Sequence, residues 1–312
     1  MRLLFDYESI VLADLGAPGA GGKYLQLWKY LLVAVIKEHN RFIGGGNMST
    51  AIVKGILKNA HPASKIWVSG PHIENLKPWS DLGTNTTSKN GAVFNNCDII
   101  FLGVKPDKLN DATKNILNDI SKEKENKKVL FISMLAGICI EDLANISVIR
   151  IMPNTPMTVG AGASIYTPDS NVSEQQCTLL EKLLSSSGLC EQVPEILIDS
   201  LGSLTGCGPA FIYMVIEALA DGAVKQGVPR GMALRYAAQM VVGSGQMVLQ
   251  TGKHPGLLKD EVCSPGGSTI CGVTALENGN LSSFGHSLVF LIMDNAFAFL
   301  AHISQSMAFQ NN

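Results

Sequence analysis

The residues of this chain that could do chemistry fall in short stretches rich in glycine and proline. The first is Ile43-Gly44-Gly45-Gly46-Asn47-Met48-Ser49, followed by the helical run Thr50–Leu57. Gly44 and Gly46 take the first two positions of G-x-G-x-x-G/A, and Ser49 takes the third. The first glycine permits a tight turn after a strand. The second lets the backbone approach a pyrophosphate, which would rest on the free N–H groups of the helix start. A plain strand–helix turn uses the same glycines, so this reading leans on the strand–helix–strand context that follows. An NAD-type site carries an acid about 20 residues further on, to bond a ribose 2′-OH. Here that point reads Val68-Ser69-Gly70-Pro71-His72, with no carboxylate. Ser69 and His72 could instead hydrogen-bond a 2′-phosphate. NADPH is therefore the expected cofactor, with NADH as the alternative.

Four more stretches share this character. Gly103-Val104-Lys105-Pro106 follows the apolar run Asp98–Leu102. Ligands bind at the carboxyl ends of strands in open α/β sheets, so a nicotinamide ribose could lie there. Lys105 reads equally well as a solvated loop side chain. Arg150-Ile151-Met152-Pro153-Asn154-Thr155-Pro156 places two prolines around Asn-Thr. Proline fixes φ, and by itself this reads as a rigid structural turn. Gly206-Cys207-Gly208-Pro209-Ala210 opens one long helical segment, and Ser264-Pro265-Gly266-Gly267-Ser268-Thr269 opens another. The second offers backbone N–H groups, a positive dipole end and two hydroxyls to a carboxylate. An ordinary Ser/Thr cap is the alternative.

The elements that would position these stretches divide the chain. Residues 1–40 read as an N-terminal extension, with one amphipathic helix over 23–38. Residues 41–198 alternate apolar runs of strand length with segments of helical length. The strand-like runs are Lys65–Ser69, Asp98–Val104, Lys128–Met134, Ser147–Met152, Ala161–Tyr166 and Leu189–Val193. The helical segments include Ser49–Asn59, Asp107–Ser121 and Ser173–Ser186. This pattern predicts an α/β domain, a mostly parallel sheet with helices on both faces. Residues 199–312 read as all-helical: Pro209–Gln226, Arg230–Gln250, Ser268–Glu277 and Leu281–Ser304. These helices carry too few charges for a single buried face, which points to a subunit interface.

The whole chain excludes several classes. It has 312 residues, 46% hydrophobic and 16% charged, enough for one large or two ordinary domains, each with a real core. A formal net charge of -2 gives no basic face for nucleic acid. The one dense charge run, Lys122 to Lys128, mixes both signs. Seven dispersed cysteines without a C-x-x-C pair argue against a disulfide framework or a zinc site, and no metal is expected. No membrane span is expected either; the closest stretch, Tyr24–Ile36, contains Gln26 and Lys29. Asp6, Glu8 and Asp14 disfavour a signal or transit peptide, so a cytoplasmic location is expected.

In order along the chain, Ile43-Gly-Gly-Gly-Asn-Met48, Val104-Lys-Pro106, Met152-Pro-Asn-Thr-Pro156, Gly206-x-Gly-Pro-Ala210 and Ser264-Pro-Gly-Gly-Ser-Thr269 closely resemble the pyrroline-5-carboxylate reductase family. The segment from His254-Pro255 to Ala275-Leu276-Glu277 is similar to that family's signature. The resemblance implies a Rossmann domain followed by a helical dimerisation domain, with dimers building larger assemblies, commonly rings of five. It implies NAD(P)H-dependent reduction of 1-pyrroline-5-carboxylate to L-proline. Residue by residue, Ile43, Gly44, Gly45, Gly46, Asn47, Met48, Asn90, Gly103, Val104, Lys105, Pro106, Met134, Leu135 and Ala136 match cofactor-contacting positions. Glu195, Ser268 and Thr269 match substrate-holding positions, with Gly266 and Gly267 supplying backbone N–H groups; Thr269 matches the threonine that meets the ring nitrogen. Gly202 stands where the family often has threonine, and the family's S-G-S-G-P reads Thr205 to Pro209 here. Two other readings are weaker. A β-hydroxyacid dehydrogenase needs a helical Lys acid, and the candidate Lys225 is followed four residues later by Pro229. The other is a catalytically silent nucleotide-binding sensor or scaffold of the same fold.

Overall fold

The computed structural model describes residues 10–13, 47–58, 62–70, 72–89, 99–103, 129–135, 137–141 and 147–283, with Gly285 and Ser287. Contacts divide the chain into two units, residues 1–206 with 293–312, and residues 207–292.

The first unit is built on an eight-stranded sheet in the order β3-β2-β1-β4-β5-β6-β7-β8. The strands are β1 Ile10–Ala13, β2 Ile66–Ser69, β3 Asn85–Thr87, β4 Ile99–Leu102, β5 Leu130–Ser133, β6 Ser147–Met152, β7 Gly162–Pro168 and β8 Gly188–Gln192. All neighbours are parallel except β6 and β7, whose antiparallel register sets Arg150 opposite Thr167. The chain runs outward from β1 in one direction to β3 and in the other through β4, so the strand order reverses between β1 and β4. Dinucleotides bind at such a reversal in doubly wound sheets.

Sequence and structure agree where strands are covered on both faces. Phe101, Leu102, Ile132, Val148 and Ile149 are buried, and such strands read as unbroken apolar runs. Two strands differ from expectation. Ile10–Ala13, assigned by the sequence to an extension outside the sheet, pair with both β2 and β4. Ile10–Ala13 therefore occupy the place between β2 and β4 at the centre of the sheet. The polar triplet Asn85-Thr86-Thr87 forms edge strand β3, and the Asn85 side-chain amide donates to the carbonyl of Ser64 at 2.7 Å. The expected helix at Asp107–Ser121 lies outside the described residues.

The described helices of this unit are α1 Asn47–Lys58, α2 Lys77–Ser80, α3 Glu174–Leu184 and α4 Ile198–Gly202. A capping box starts α3: Ser173 Oγ accepts from the Gln176 N–H, and Gln176 Oε1 accepts from the Ser173 N–H at 2.8 Å. Helix α1 packs on the turn Ser185–Ser187 through Gly55, whose carbonyl accepts from Ser186 Oγ at 2.6 Å. A Cβ on Gly55 would lie 1.8 Å from Ser187 Oγ. Gly55→Ala is therefore expected to destabilise the fold by about 1–3 kcal/mol through overpacking. Ser187→Gly in the same background should recover part of that loss. Urea unfolding of the wild type, the single variant and the double variant checks both statements.

The second unit contains α5 Gly208–Lys225, α6 Arg230–Thr251, α7 Pro255–Val262 and α8 Ser268–Asn278. Gly252, at φ 65°, ends α6 in the left-handed region, and its N–H donates to the Val248 carbonyl. Helix α7 starts at Pro255, with His254 Nδ1 accepting from the Gly256 N–H at 3.1 Å. Large apolar side chains stand open along these helices, among them Met214 at 68%, Tyr236 at 70% and Leu249 at 81% exposure. A patch of this kind marks a contact surface. The helical run Glu195–Lys225 is long and apolar enough, by length and composition, to cross a membrane. The sequence reading had found no such stretch. The expected helix Leu281–Ser304 lies almost entirely outside the described residues.

Candidate active site

Residues at the strand-order reversal suit a dinucleotide. Gly103 follows β4 at its carboxyl end. Met134 follows β5, and its N–H extends the ladder by donating to the Leu102 carbonyl at 2.9 Å. Leu135 is 2% exposed, so its side chain belongs to the core and only its backbone could meet a ligand. Helix α1 begins at Asn47, with Met48 half-buried beside it and no acid in its first turn. Its positive dipole end is thus not neutralised by its own side chains. In that turn Ser49 Oγ is buried with no hydrogen-bond partner among the described residues. A helix start with no acid in its first turn, a buried hydroxyl without a partner among the described residues and a strand-order reversal form a donor set that fits a phosphate-bearing cofactor. Ile43, Gly44, Gly45, Gly46, Asn90, Val104, Lys105, Pro106 and Ala136 lie outside the described residues.

Ser69 departs from the sequence reading. It is 0% exposed, so its hydroxyl is enclosed by the protein and not presented to a ribose phosphate. The open surface past β2 carries His72, whose Nδ1 lies 3.3 Å from Glu74 Oε1.

A second group of polar residues lies along β6. Arg150 is 2% exposed, with Nη2 2.7 Å from Asp199 Oδ1 and Nη1 3.3 Å from Glu195 Oε1. Glu195 Oε1 also accepts from the Ile140 N–H at 2.9 Å. The carboxylate expected to hold substrate is thus engaged by its own unit, while Gly266 to Thr269 belong to the other. Four residues past Arg150, the buried Asn154 bridges two backbone groups. Its Oδ1 accepts from the Ala163 N–H at 2.9 Å, and its Nδ2 donates to the Thr205 carbonyl at 3.1 Å. Thr205 sits in a π-helical turn, Ser203–Cys207, that joins α4 to α5. Sequence reasoning did not find this turn. Its signal is a pair of hydroxyls four residues after carbonyls they can bond: Ser203 Oγ donates to the Asp199 carbonyl and Thr205 Oγ1 to the Leu201 carbonyl. Gly202, the departure from the family's threonine, also has a packing reason. A Cβ there would come within 2.8 Å of Met152 Cγ.

The start of α8 is a further donor set. Gly266 is in the left-handed region at φ 67°, and the Gly267 N–H donates to the Ser264 carbonyl at 3.0 Å, closing a tight turn. Gly267 is the N-cap and makes no side-chain cap bond, and the first turn of α8 holds no acid. Ser268 is exposed and Thr269 half-buried. The first N–H groups of α8 and two neighbouring hydroxyls therefore stand ready for an anion. The capping alternative is not what this helix shows, since the cap position holds a glycine.

Two cysteines of the sheet unit, Cys177 and Cys190, hold their protons. Burial, with nearby carboxylates, pushes the Cys190 thiol up to about 12, and burial raises Cys177 as well. Both are protonated at neutral pH and act as packing residues.

Known proteins match this arrangement in both parts. A family profile described as pyrroline-5-carboxylate reductase dimerisation covers residues 195–296. A profile for coenzyme F420-dependent NADP oxidoreductases covers residues 41–137. Pyrroline-5-carboxylate reductase 3 of Danio rerio is 43% identical over 76% of this chain and 83% of its own length. The crystal structure of Plasmodium falciparum pyrroline carboxylate reductase with NADP bound superposes with a TM-score of 0.71 at 30% identity, covering 83% of this chain and 96% of that one. The Coxiella burnetii pyrroline-5-carboxylate reductase does so at 0.72 and 30%, covering 85% and 97%. The dimerisation profile spans the exposed apolar helices, so a partner subunit accounts for their composition. With relatives at this identity and coverage, and a dimerisation profile over residues 195–296, the chain belongs to the pyrroline-5-carboxylate reductase family.

Proposed function

We propose that this chain reduces 1-pyrroline-5-carboxylate to L-proline, the last step of proline biosynthesis. NADPH, when bound, supplies the hydride that adds to the imine carbon; the ring nitrogen gains or keeps a proton, and the C=N bond becomes a CH–NH bond. A protonated imine is already electrophilic, so placement matters more than a strong acid. Ile43 to Met48 and α1 would hold the pyrophosphate, with Gly103 to Pro106, Met134 to Ala136 and Asn90 along the rest of the cofactor. The N–H groups of Gly266, Ser268 and Thr269 would bind the substrate carboxylate, with the Ser268 hydroxyl beside it and the Gly267 N–H holding the turn closed. Thr269 would orient the ring nitrogen. Glu195 enters this scheme through Arg150 and Ile140 rather than as a free carboxylate.

The observation that carries the reading is the start of α8: a glycine cap, free N–H groups, no acid in the first turn and two hydroxyls. NADPH oxidation on addition of pyrroline-5-carboxylate tests it, with NADH in parallel. NADPH is expected to be preferred, because no acid follows β2 directly. Tight NADPH binding with no turnover would instead select the silent sensor.

The proposal includes a homodimer through the helices after residue 199, and larger assemblies of dimers. It includes a cytoplasmic, reducing setting, supported by free thiols at Cys177, Cys190, Cys207, Cys263 and Cys271. Light scattering over a dilution series is expected to show no particle smaller than a dimer while activity persists. An active monomer would contradict the interface.

A further inference from the structure

Alternate residues of β6 and of the loop continuing it meet successive turns of one helical run. Arg150 pairs with Glu195 and Asp199, Met152 lies against Gly202, and Asn154 bonds the Thr205 carbonyl. The first contact holds the 3₁₀ turn Glu195–Leu197 and the start of α4, and the second the end of α4. The third holds a π turn, a shape that helices adopt rarely and often at functional sites. Asn154 is 5% exposed, and both ends of its amide are committed. The Ala163 N–H requires its oxygen and the Thr205 carbonyl requires its nitrogen, so the amide cannot flip without losing both bonds.

What the turn carries is also unusual. Gly206 and Gly208 follow Thr205, and a Cβ on either would meet nothing within 4 Å. Neither has a positive φ. Glycine weakens a helix, and among the described residues neither packing nor backbone geometry calls for it at these two positions. The Asn154 loop lies at the carboxyl end of β6, the edge of the sheet where ligands bind in this class of fold.

We infer that Asn154 is a positioning residue for the reduction, and this rests on the function proposed above. Through the Thr205 carbonyl it keeps the π turn, and with it the Gly206-Cys207-Gly208 backbone, in the shape required for turnover. The Pro-Asn-Thr-Pro stretch is then more than a stiff loop. Its prolines fix the backbone, and its asparagine transmits that rigidity to the turn.

Asn154→Asp in the full chain tests this. The carboxylate keeps an acceptor for the Ala163 N–H but has no donor for the Thr205 carbonyl when ionised. It is expected to lower kcat on the order of 10²-fold, the cost of a small misplacement, while the KM for NADPH stays within about two-fold. Amide hydrogen exchange across Ser203–Cys207 should quicken about ten-fold or more, with β5 and β6 unchanged. Asn154→Leu removes both bonds and controls for stability. A merely structural asparagine would lower the melting temperature in both variants and leave kcat of the folded protein near wild type. A kcat within about two-fold of wild type, or unchanged exchange in the turn, overturns the inference while the proposed function stands. If the wild type itself makes no proline, the functional reading falls and takes the catalytic role of Asn154 with it. The exchange result then still decides whether Asn154 holds the turn.

Discussion

Replacing Thr269 by alanine is expected to cut turnover on the order of 10²–10³-fold, the cost of losing one donor aimed at developing charge. NADPH affinity should change little. Thr269 stands in the first turn of α8, whose cap is Gly267 without a side-chain bond. Its hydroxyl is therefore not tied up as the N-cap. A hydrogen bond that strengthens as the imine nitrogen becomes an amine acts on the transition state, so its loss falls on kcat. If Thr269 only steadied the helix, the variant would lose about 1 kcal/mol of stability and keep its rate. Kinetics and a melting curve on the same protein separate these outcomes. A normal rate with a lowered melting point would move the catalytic role to Ser268 or to solvent.

Arg150→Met is expected to be the most destabilising of these changes. The guanidinium is 2% exposed and faces two carboxylates, from Glu195 and Asp199. Removing one member of a buried ion pair costs about 3–5 kcal/mol, because its partner is left without compensation. Glu195 and Asp199 are 32% and 38% exposed and keep some water, which places the loss near the lower end of that range. At roughly 2–4 °C per kcal/mol the melting temperature should fall by about 6–12 °C. Differential scanning calorimetry checks this. A fall of less than about 2 °C would mean that hydration of the two acids replaces the ion pair. Methionine fills the space without a charge, so the loss reports the pair and not a cavity.

How legible each part was in the sequence follows from its physics. Strands β4, β5 and β6 are covered on both faces, and their apolar runs announce them. Ile10–Ala13 gave no such notice. The run is only four residues long, has Asp14 directly after it, and is far in sequence from the glycine turn that usually follows a first strand. Edge strand β3 is polar because it needs a partner on one side only. At the site, residue types and spacing pointed to the α8 turn, since glycines before hydroxyls at a helix start are local information. The role of Glu195 was not local. Its partner Arg150 lies 45 residues away, and only the fold brings the two together. Ser69 had the right type and position in the chain, but its burial depends on packing that no motif records. The π turn needed both: hydroxyls that can bond back along the helix, and an asparagine from a distant loop.

The central claim is the reaction itself, and the most direct measurement is the stoichiometry of one incubation. Purified protein given pyrroline-5-carboxylate and NADPH should yield one proline for each NADPH consumed. No proline, with NADPH bound but not oxidised, would contradict the account.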